Sequence, residues 1–261
     1  MKKFLTGLTL VVLLMAAFFA PIGQEYALAS DGYTTIKVEE GYVLSDQYKS
    51  KVVLEGRQDK DSPYFTDILI HILDKSGKTV VTIKPKENSG YGPDIKLLDF
   101  GVNQGMQQIY YAASTGGSGG FGYFYVYSVK DGKIKTLFDF EKFSAENVFK
   151  GRYVDGFKVE IRNTSNGEKY LLDMSLRPQE YKNEIWKKDG KLIAPREVDI
   201  SGTNTVFPYY NFYARNFQLL IYQRITGLYG ADGLGYVITQ QAYGKNGFET
   251  YFQGIEIFGN N

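Results

Sequence analysis

From residue 66 onward, apolar and polar positions alternate in short runs broken by glycine-bearing turns, a pattern of strands rather than helices. Residues 66–74 alternate as one strand, Lys75-Ser76-Gly77-Lys78 reads as a tight turn, and residues 79–84 form the return. Residues 95–100, 108–114, 123–130 and 133–140 continue the meander, with Asp131-Gly132 the sharpest hairpin signal in the chain. Residues 157–162 and 169–175 pair around Asn166-Gly167, and Trp186 and Leu192-Ile193 flank Asp189-Gly190. The last third repeats the pattern in residues 217–229, 235–243 and 248–258, the final turn being Gly244-Lys245-Asn246-Gly247. Helical signal is confined to residues 140–149 and 178–184, each long enough for a few turns.

Turns recurring about every ten residues predict an all-β fold: an antiparallel meander, either propeller-like or made of two packed β units, with at most short helices. Residues 139–152 and 191–204 are the two places where the pattern breaks. Residues 93–138 and 211–258 each run strand, glycine-bearing loop, strand, turn, strand, and read as two repeat-related units.

The N-terminus departs from this pattern. Lys2 and Lys3 precede an almost continuous apolar run over residues 4–19; Pro21 and Gly23 then break it, and Ala27-Leu28-Ala29 supplies a small-x-small site. This is the pattern of a secretory signal peptide over residues 1–29, cleaved after Ala29 so that the mature region, residues 30–261, begins at Ser30. The rival reading is a membrane anchor, since the run approaches the roughly 20 residues a span needs. Helix breakers followed by the cleavage site favour export. The expected product is extracellular, with no membrane association after cleavage. With no cysteine to carry a lipid and no hydrophobic tail or sorting motif at the C-terminus, it is expected to be released or held non-covalently.

Composition narrows the function classes. The mature region carries 28 basic and 28 acidic residues, so nothing favours nucleic acid, which calls for a basic excess. The lack of cysteine rules out disulfides, thiol catalysis and thiolate metal sites, leaving the core itself to hold the fold. No cofactor is expected.

Ile109 to Gly120 (IYYAASTGGSGG), followed by Phe124-Tyr125-Val126-Tyr127-Ser128, resembles a family of secreted proteins from Bacillus and related Gram-positive bacteria labelled as containing VCBS or FG-GAP-type repeats. Residues 223–237, 170–173 and 184–193 extend the similarity through most of the mature chain. The resemblance implies propeller-blade-like units with carboxylate-rich calcium loops. The corresponding stretch here, residues 99–108, has Asp99 as its one acid, and residues 210–218 have none and an arginine. One carboxylate does not offset the dehydration of a divalent cation, so no calcium is predicted.

Catalytic signatures are sparse. Gly116-Gly117-Ser118-Gly119-Gly120 matches the G-x-S-x-G hydrolase pattern in letters, but that elbow needs a helix after it, and a strand follows. The loop also lacks the Lys-Ser/Thr ending of a phosphate loop. His71, the one histidine, lies mid-strand with Leu69 and Leu73 on its own parity and reads as a partly buried core residue. Asp67, Glu160 and Asp173 lie on separate strands, and nothing in the sequence brings two of them to the separation that glycoside hydrolysis requires.

The aromatic residues carry the stronger signal. Phe121, Tyr123, Tyr125 and Tyr127 alternate with Phe124 and Val126, placing large side chains on both faces of one strand, and Tyr209, Tyr210, Phe212 and Tyr213 form a second cluster. Rings bind sugar faces, though they also build β cores. Arg224 and Asp232 bracket the 228–235 loop and are expected to hold it as a charged pair or to touch a ligand. The candidate ligand-binding residues are therefore Ser118, Tyr123, Tyr125, Arg224, Tyr229 and Asp232. The expectation is a secreted, non-enzymatic, cell-envelope-associated protein whose partner is cell-wall or extracellular polysaccharide. The alternatives are an extracellular hydrolase using carboxylates and a structural partner of an envelope protein.

Overall fold

Alternation closes into antiparallel hairpins throughout residues 32–258, the residues that a computed structural model describes. The signal segment, with Ala27, Ala29 and Ser30, lies outside them. The elements run β1 (Thr34–Gly41), β2 (Ser50–Gln58), β3 (Tyr64–Leu73), β4 (Thr79–Ile83), β5 (Gly90–Leu98), β6 (Gln108–Ser114), β7 (Gly122–Lys130) and β8 (Lys133–Asp139). The short helix α1 (Phe140–Glu146) follows, then β9 (Phe149–Val154), β10 (Lys158–Asn163), β11 (Lys169–Asp173) and the helix α2 (Gln179–Asn183). The chain finishes with β12 (Glu197–Asn211), β13 (Asn216–Thr226), β14 (Gly233–Gly244) and β15 (Gly247–Ile257).

The strands form two sheets, so of the two all-β architectures expected, the packed pair is the one that forms. The first sheet runs β1-β2-β3-β5-β6-β7-β8 with β4 added to β3; the second runs β11-β10-β9-β12-β13-β14-β15. The first curls on itself until β1 comes beside β5, where Lys37 Nζ donates to Asp94 Oδ1 at 2.7 Å and to the Ile95 carbonyl at 2.9 Å. Its concave face holds an aliphatic core that includes Leu54, Ile70, Ile72, Ile95 and Ile109, closed by Tyr111, Tyr125 and Tyr127. A second core, including Phe149, Tyr153, Val159, Ile161, Trp186 and Ile225, fills the second sheet.

A third cluster joins the two. Residues of opposite parity on β6 to β8, among them Tyr110, Phe124, Val126 and Phe138, pack with Phe143 of α1 against Val206, Leu219 and Ile221 of β12 and β13. Both faces of β7 are thus buried, which explains its unbroken apolar run. The Tyr110 hydroxyl crosses the seam to donate to the Val206 carbonyl at 2.7 Å.

Helix α1 marks the change of sheet. Asp139 caps it, its carboxylate accepting from the Glu141 and Lys142 amides, and the carbonyl of Phe140 and hydroxyl of Ser144 meet Thr203 of β12. Turn chemistry is met where the sequence placed it: Asp131 and Gly132 both take positive φ, 52° and 70°, between β7 and β8. Residues 93–138 fall in the first sheet and residues 211–258 in the second. Among the described residues no helix is long and apolar enough to cross a membrane.

Candidate functional site

The parity of β12 to β15 separates an inner from an outer face. Val206, Ile221, Thr239 and Gln253 form one cross-strand row, and the first three are buried. The neighbouring row, Phe207, Leu220, Gln240 and Phe252, points the other way; Phe207 is 55% and Phe252 46% exposed. The rows beyond it hold Tyr222 and Ile238, then Arg224, Tyr236 and Glu256. Nothing described covers this outer face.

Four rings run across it as a continuous ladder. Phe207 meets Tyr222 with centroids 6.0 Å apart, Tyr222 meets Tyr236 at 5.4 Å, and Tyr236 meets Phe258 at 5.5 Å. Each contact is edge to face, with interplanar angles of 82°, 87° and 88°, the geometry that the ring quadrupole favours. Beside it, the Tyr209 and Tyr251 hydroxyls both bond to Gln218 Oε1 at 2.8 Å and to each other. Tyr251 and Phe252 continue into an open groove of about 580 Å³ between β15 and the β10–β11 turn, where the other walls are Asn166, Glu168, Lys169, Tyr170, Thr250 and Gln253. Apolar ring surface and hydroxyl, amide and carboxylate groups therefore adjoin.

The candidates named from sequence are distributed differently. Tyr125 is a core residue, 1% exposed and stacked between Tyr111 and Tyr127; its hydroxyl accepts from the Glu87 amide. Tyr123 is half-buried against Phe140. These two rings close the first core and do not form an open platform. Ser118 is exposed at the tip of the β6–β7 loop, which Asn204 fastens to β12 by donating to the Gly119 carbonyl at 2.7 Å. With β7 following directly, the loop is a hairpin connection with no helix end to support a nucleophile.

Arg224 and Asp232 both hold the 227–233 loop, but not as a pair. Arg224 Nη2 donates to the Gly230 carbonyl at 3.3 Å. Asp232 is buried, and its Oδ2 accepts from the Leu228 amide at 2.7 Å and the Tyr181 hydroxyl at 2.8 Å. Tyr181 in turn bonds to the Tyr153 hydroxyl at 2.7 Å, and Arg177 donates to the Gly233 carbonyl. Burial pushes the Tyr153 phenol up to about 12 and Tyr181 higher still. This knot fixes the loop and leaves Tyr229, 65% exposed, at its tip. Gly227 fits only as glycine, because a methyl there would overlap the Asp232 carboxylate and both tyrosine hydroxyls.

His71 acquires partners that the sequence did not name. Its ring nitrogens lie 2.9 Å from Thr82 Oγ1 and 2.9 Å from Glu55 Oε1, a cross-strand trio on β2, β3 and β4. Acid, imidazole and hydroxyl are the ingredients of a nucleophilic triad, but acyl chemistry also needs donors converging on a developing oxyanion. Strand amides lie in the plane of the sheet and do not converge above Thr82. The trio satisfies one oxygen of a carboxylate that is 3% exposed. Of the hydrolase carboxylates, Asp67 is in the first sheet near Arg57, whereas Glu160 and Asp173 lie on the paired strands β10 and β11, opposite Leu171 and Lys158, and Glu160 engages Arg152 at 3.0 Å. Asp173 caps its own turn, and bonds from Ser175 hold its carboxyl below the usual range. Among the described residues no group of three or more His, Asp or Glu side chains is placed to hold a metal.

Fold and surface together define a two-sheet, all-β protein with an open aromatic face on its second sheet. The chain belongs to the YybI family. It is 30% identical over 221 residues to a protein of Bacillus subtilis (strain 168) described as "Uncharacterized protein YybI", covering 85% of this chain and 84% of that one. The model of the YybI C-terminal domain matches residues 147–256, which span β9 to β15 and so follow the second sheet. The Bacillus resemblance is thus a kinship with YybI, and neither match carries the repeat label. No solved structure matches the chain.

Proposed function

We propose that this protein is a secreted, non-enzymatic binding module that docks cell-wall or extracellular glycan on the outer face of its second sheet. The observation that carries this reading is the ladder Phe207–Tyr222–Tyr236–Phe258 on the open face, with its two end rings exposed and its two central rings half-buried. Single exposed apolar residues are ordinary on protein surfaces, whereas a contiguous apolar patch marks a binding surface. The neighbouring groups favour sugar over a purely apolar partner. Gln240, Tyr209, Tyr251 and the groove with Asn166 and Gln253 supply hydrogen-bonding groups at the margin of the rings, matching a ligand with apolar ring faces and a hydroxyl rim. The signal pattern over residues 1–29 supports a location where such polymers are met.

The test is retention of the chain from residue 30 onward on purified peptidoglycan and on a panel of neutral glycans. Retention on at least one is expected, and retention on none overturns the glycan reading. The location is checked by mass spectrometry of protein recovered from the culture medium of a Gram-positive host, with Ser30 expected at the N-terminus. Recovery only in membrane fractions with an intact N-terminus contradicts export as a released protein.

A further inference from the structure

A second surface lies at the seam of the two sheets and presents the opposite chemistry. In the β7–β8 hairpin, Lys130 stands directly opposite Lys133, and Ser128 opposite Lys135. Because side chains alternate, these four residues share one face, and their partners on the other face, Val129 and Ile134, point away. The three lysines are exposed, and among the described residues none has an ion pair or a side-chain hydrogen bond. Together with Asn103 and Tyr243, which reaches across from β14, they line a groove of about 360 Å³.

The arrangement works against the hairpin. Like charges directly opposite in an antiparallel pair repel, and a third ammonium two residues along adds to that field. Asp131, at the turn with φ 52°, is the only acid lining the groove, and one carboxylate leaves the three ammonium groups in net positive excess there. Some lysines elsewhere are offset by neighbouring acids: Lys37 by Glu39 and Asp94, Lys86 by Glu141, Lys142 by Glu146 and Lys169 by Glu160; what sets the hairpin lysines apart is that three of them line one groove. In a mature chain with balanced charge, three unpaired cations gathered in one groove form a local field rather than a general excess. The backbone spacing sets Lys130 and Lys133 about 5 Å apart at Cβ and Lys135 a further ~7 Å along the strand. A flexible chain with repeated negative groups meets all three, with Ser128, Asn103 and Tyr243 placed for its neutral portions.

We infer that the Lys130/Lys133/Lys135 groove binds a polyanionic polymer bearing phosphate or carboxylate groups. This site is separate from the aromatic face and stands or falls without it. The test measures affinity of the chain from residue 30 onward for polyphosphate and for polygalacturonate at 50 and 500 mM salt, with duplex DNA as comparator. The triple variant Lys130→Gln/Lys133→Gln/Lys135→Gln is compared with Lys187→Gln/Lys188→Gln/Lys191→Gln, which removes the same charge from another exposed segment. The expected result is salt-sensitive binding to at least one polymer, weakened tenfold or more by the hairpin triple and less than twofold by the control. The hairpin triple should keep or raise the thermal midpoint, showing that the fold survives. Absence of binding to both polymers, equal losses in the two triples, or equally tight binding of duplex DNA through these lysines would each overturn the inference.

Discussion

At the residue scale, a few side chains do work that their spacing did not announce. Arg224 and Asp232 bracket a loop, and a mutual salt bridge is the simplest reading of that bracket; instead each binds the loop through a different group. Asp232 turns inward to Tyr181 because α2 and β9 bring two phenols beneath it, partners 51 and 79 positions away that local pattern does not identify. The same knot gives the sharpest single-residue prediction. Gly227→Ala should destabilise the protein by about 2–3 kcal/mol, from overpacking and loss of the Asp232 hydrogen bonds, read as a lowered denaturation midpoint. A midpoint unchanged from the parent would show that the knot is not tightly packed. Tyr125 is the converse case: a candidate ligand contact by sequence, it is a core ring, because parity alone does not say which of two ring-bearing faces is buried.

At the element scale, hairpins with strong turn residues were legible and strands without them were not. Residues 133–140 and Asp131-Gly132 were placed because turn chemistry fixes register over a few residues. Residues 140–149 and 178–184 carry the helical signal, and α1 and α2 fall within them. By contrast the pattern breaks over residues 191–204, where β12 begins, because Gly202, Pro208 and two register shifts interrupt the alternation of that strand while pairing to β9 and β13 holds it extended. β1, β2 and β9 also lacked a clear signal, carrying charges or a central glycine among their apolar positions. The aromatic face is not legible in the sequence for a related reason: its rings come from three strands and from Phe258 beyond β15, and only cross-strand register aligns them. The seam between the sheets can be tested on one hydroxyl. Tyr110→Phe removes the bond to the Val206 carbonyl and should cost about 1–2 kcal/mol in chemical denaturation, with the native circular dichroism retained. No change would mean that the seam is held by ring packing alone.

For the whole molecule, stability rests on aromatic-rich cores without a covalent tie, and that leaves a signature in alkali. Burial pushes Tyr153 and Tyr170 up to about 12 and drives Tyr110, Tyr111, Tyr125, Tyr127 and Tyr181 higher. In the unfolded chain these phenols ionise near pH 10. Below that pH both states keep their protons and the native advantage is complete. As pH rises from about 10 to 12 the unfolded chain releases protons that the folded one retains, so stability falls. The denaturation midpoint should therefore hold to about pH 10 and drop steeply by pH 11.5, with tyrosinate absorbance appearing together with unfolding. A midpoint flat across that range would show that the phenols are not buried as described.

The central claim concerns the outer face of the second sheet, the part of the molecule that the YybI C-terminal match follows. Its most direct test compares the parent with Tyr222→Ala/Tyr236→Ala for affinity toward whichever peptidoglycan or neutral glycan retains the parent. Both rings are half-buried on an open face, so the variant should remain folded, as its circular dichroism would confirm. An affinity loss of tenfold or more is the predicted result; a folded variant that binds as tightly as the parent would contradict the account.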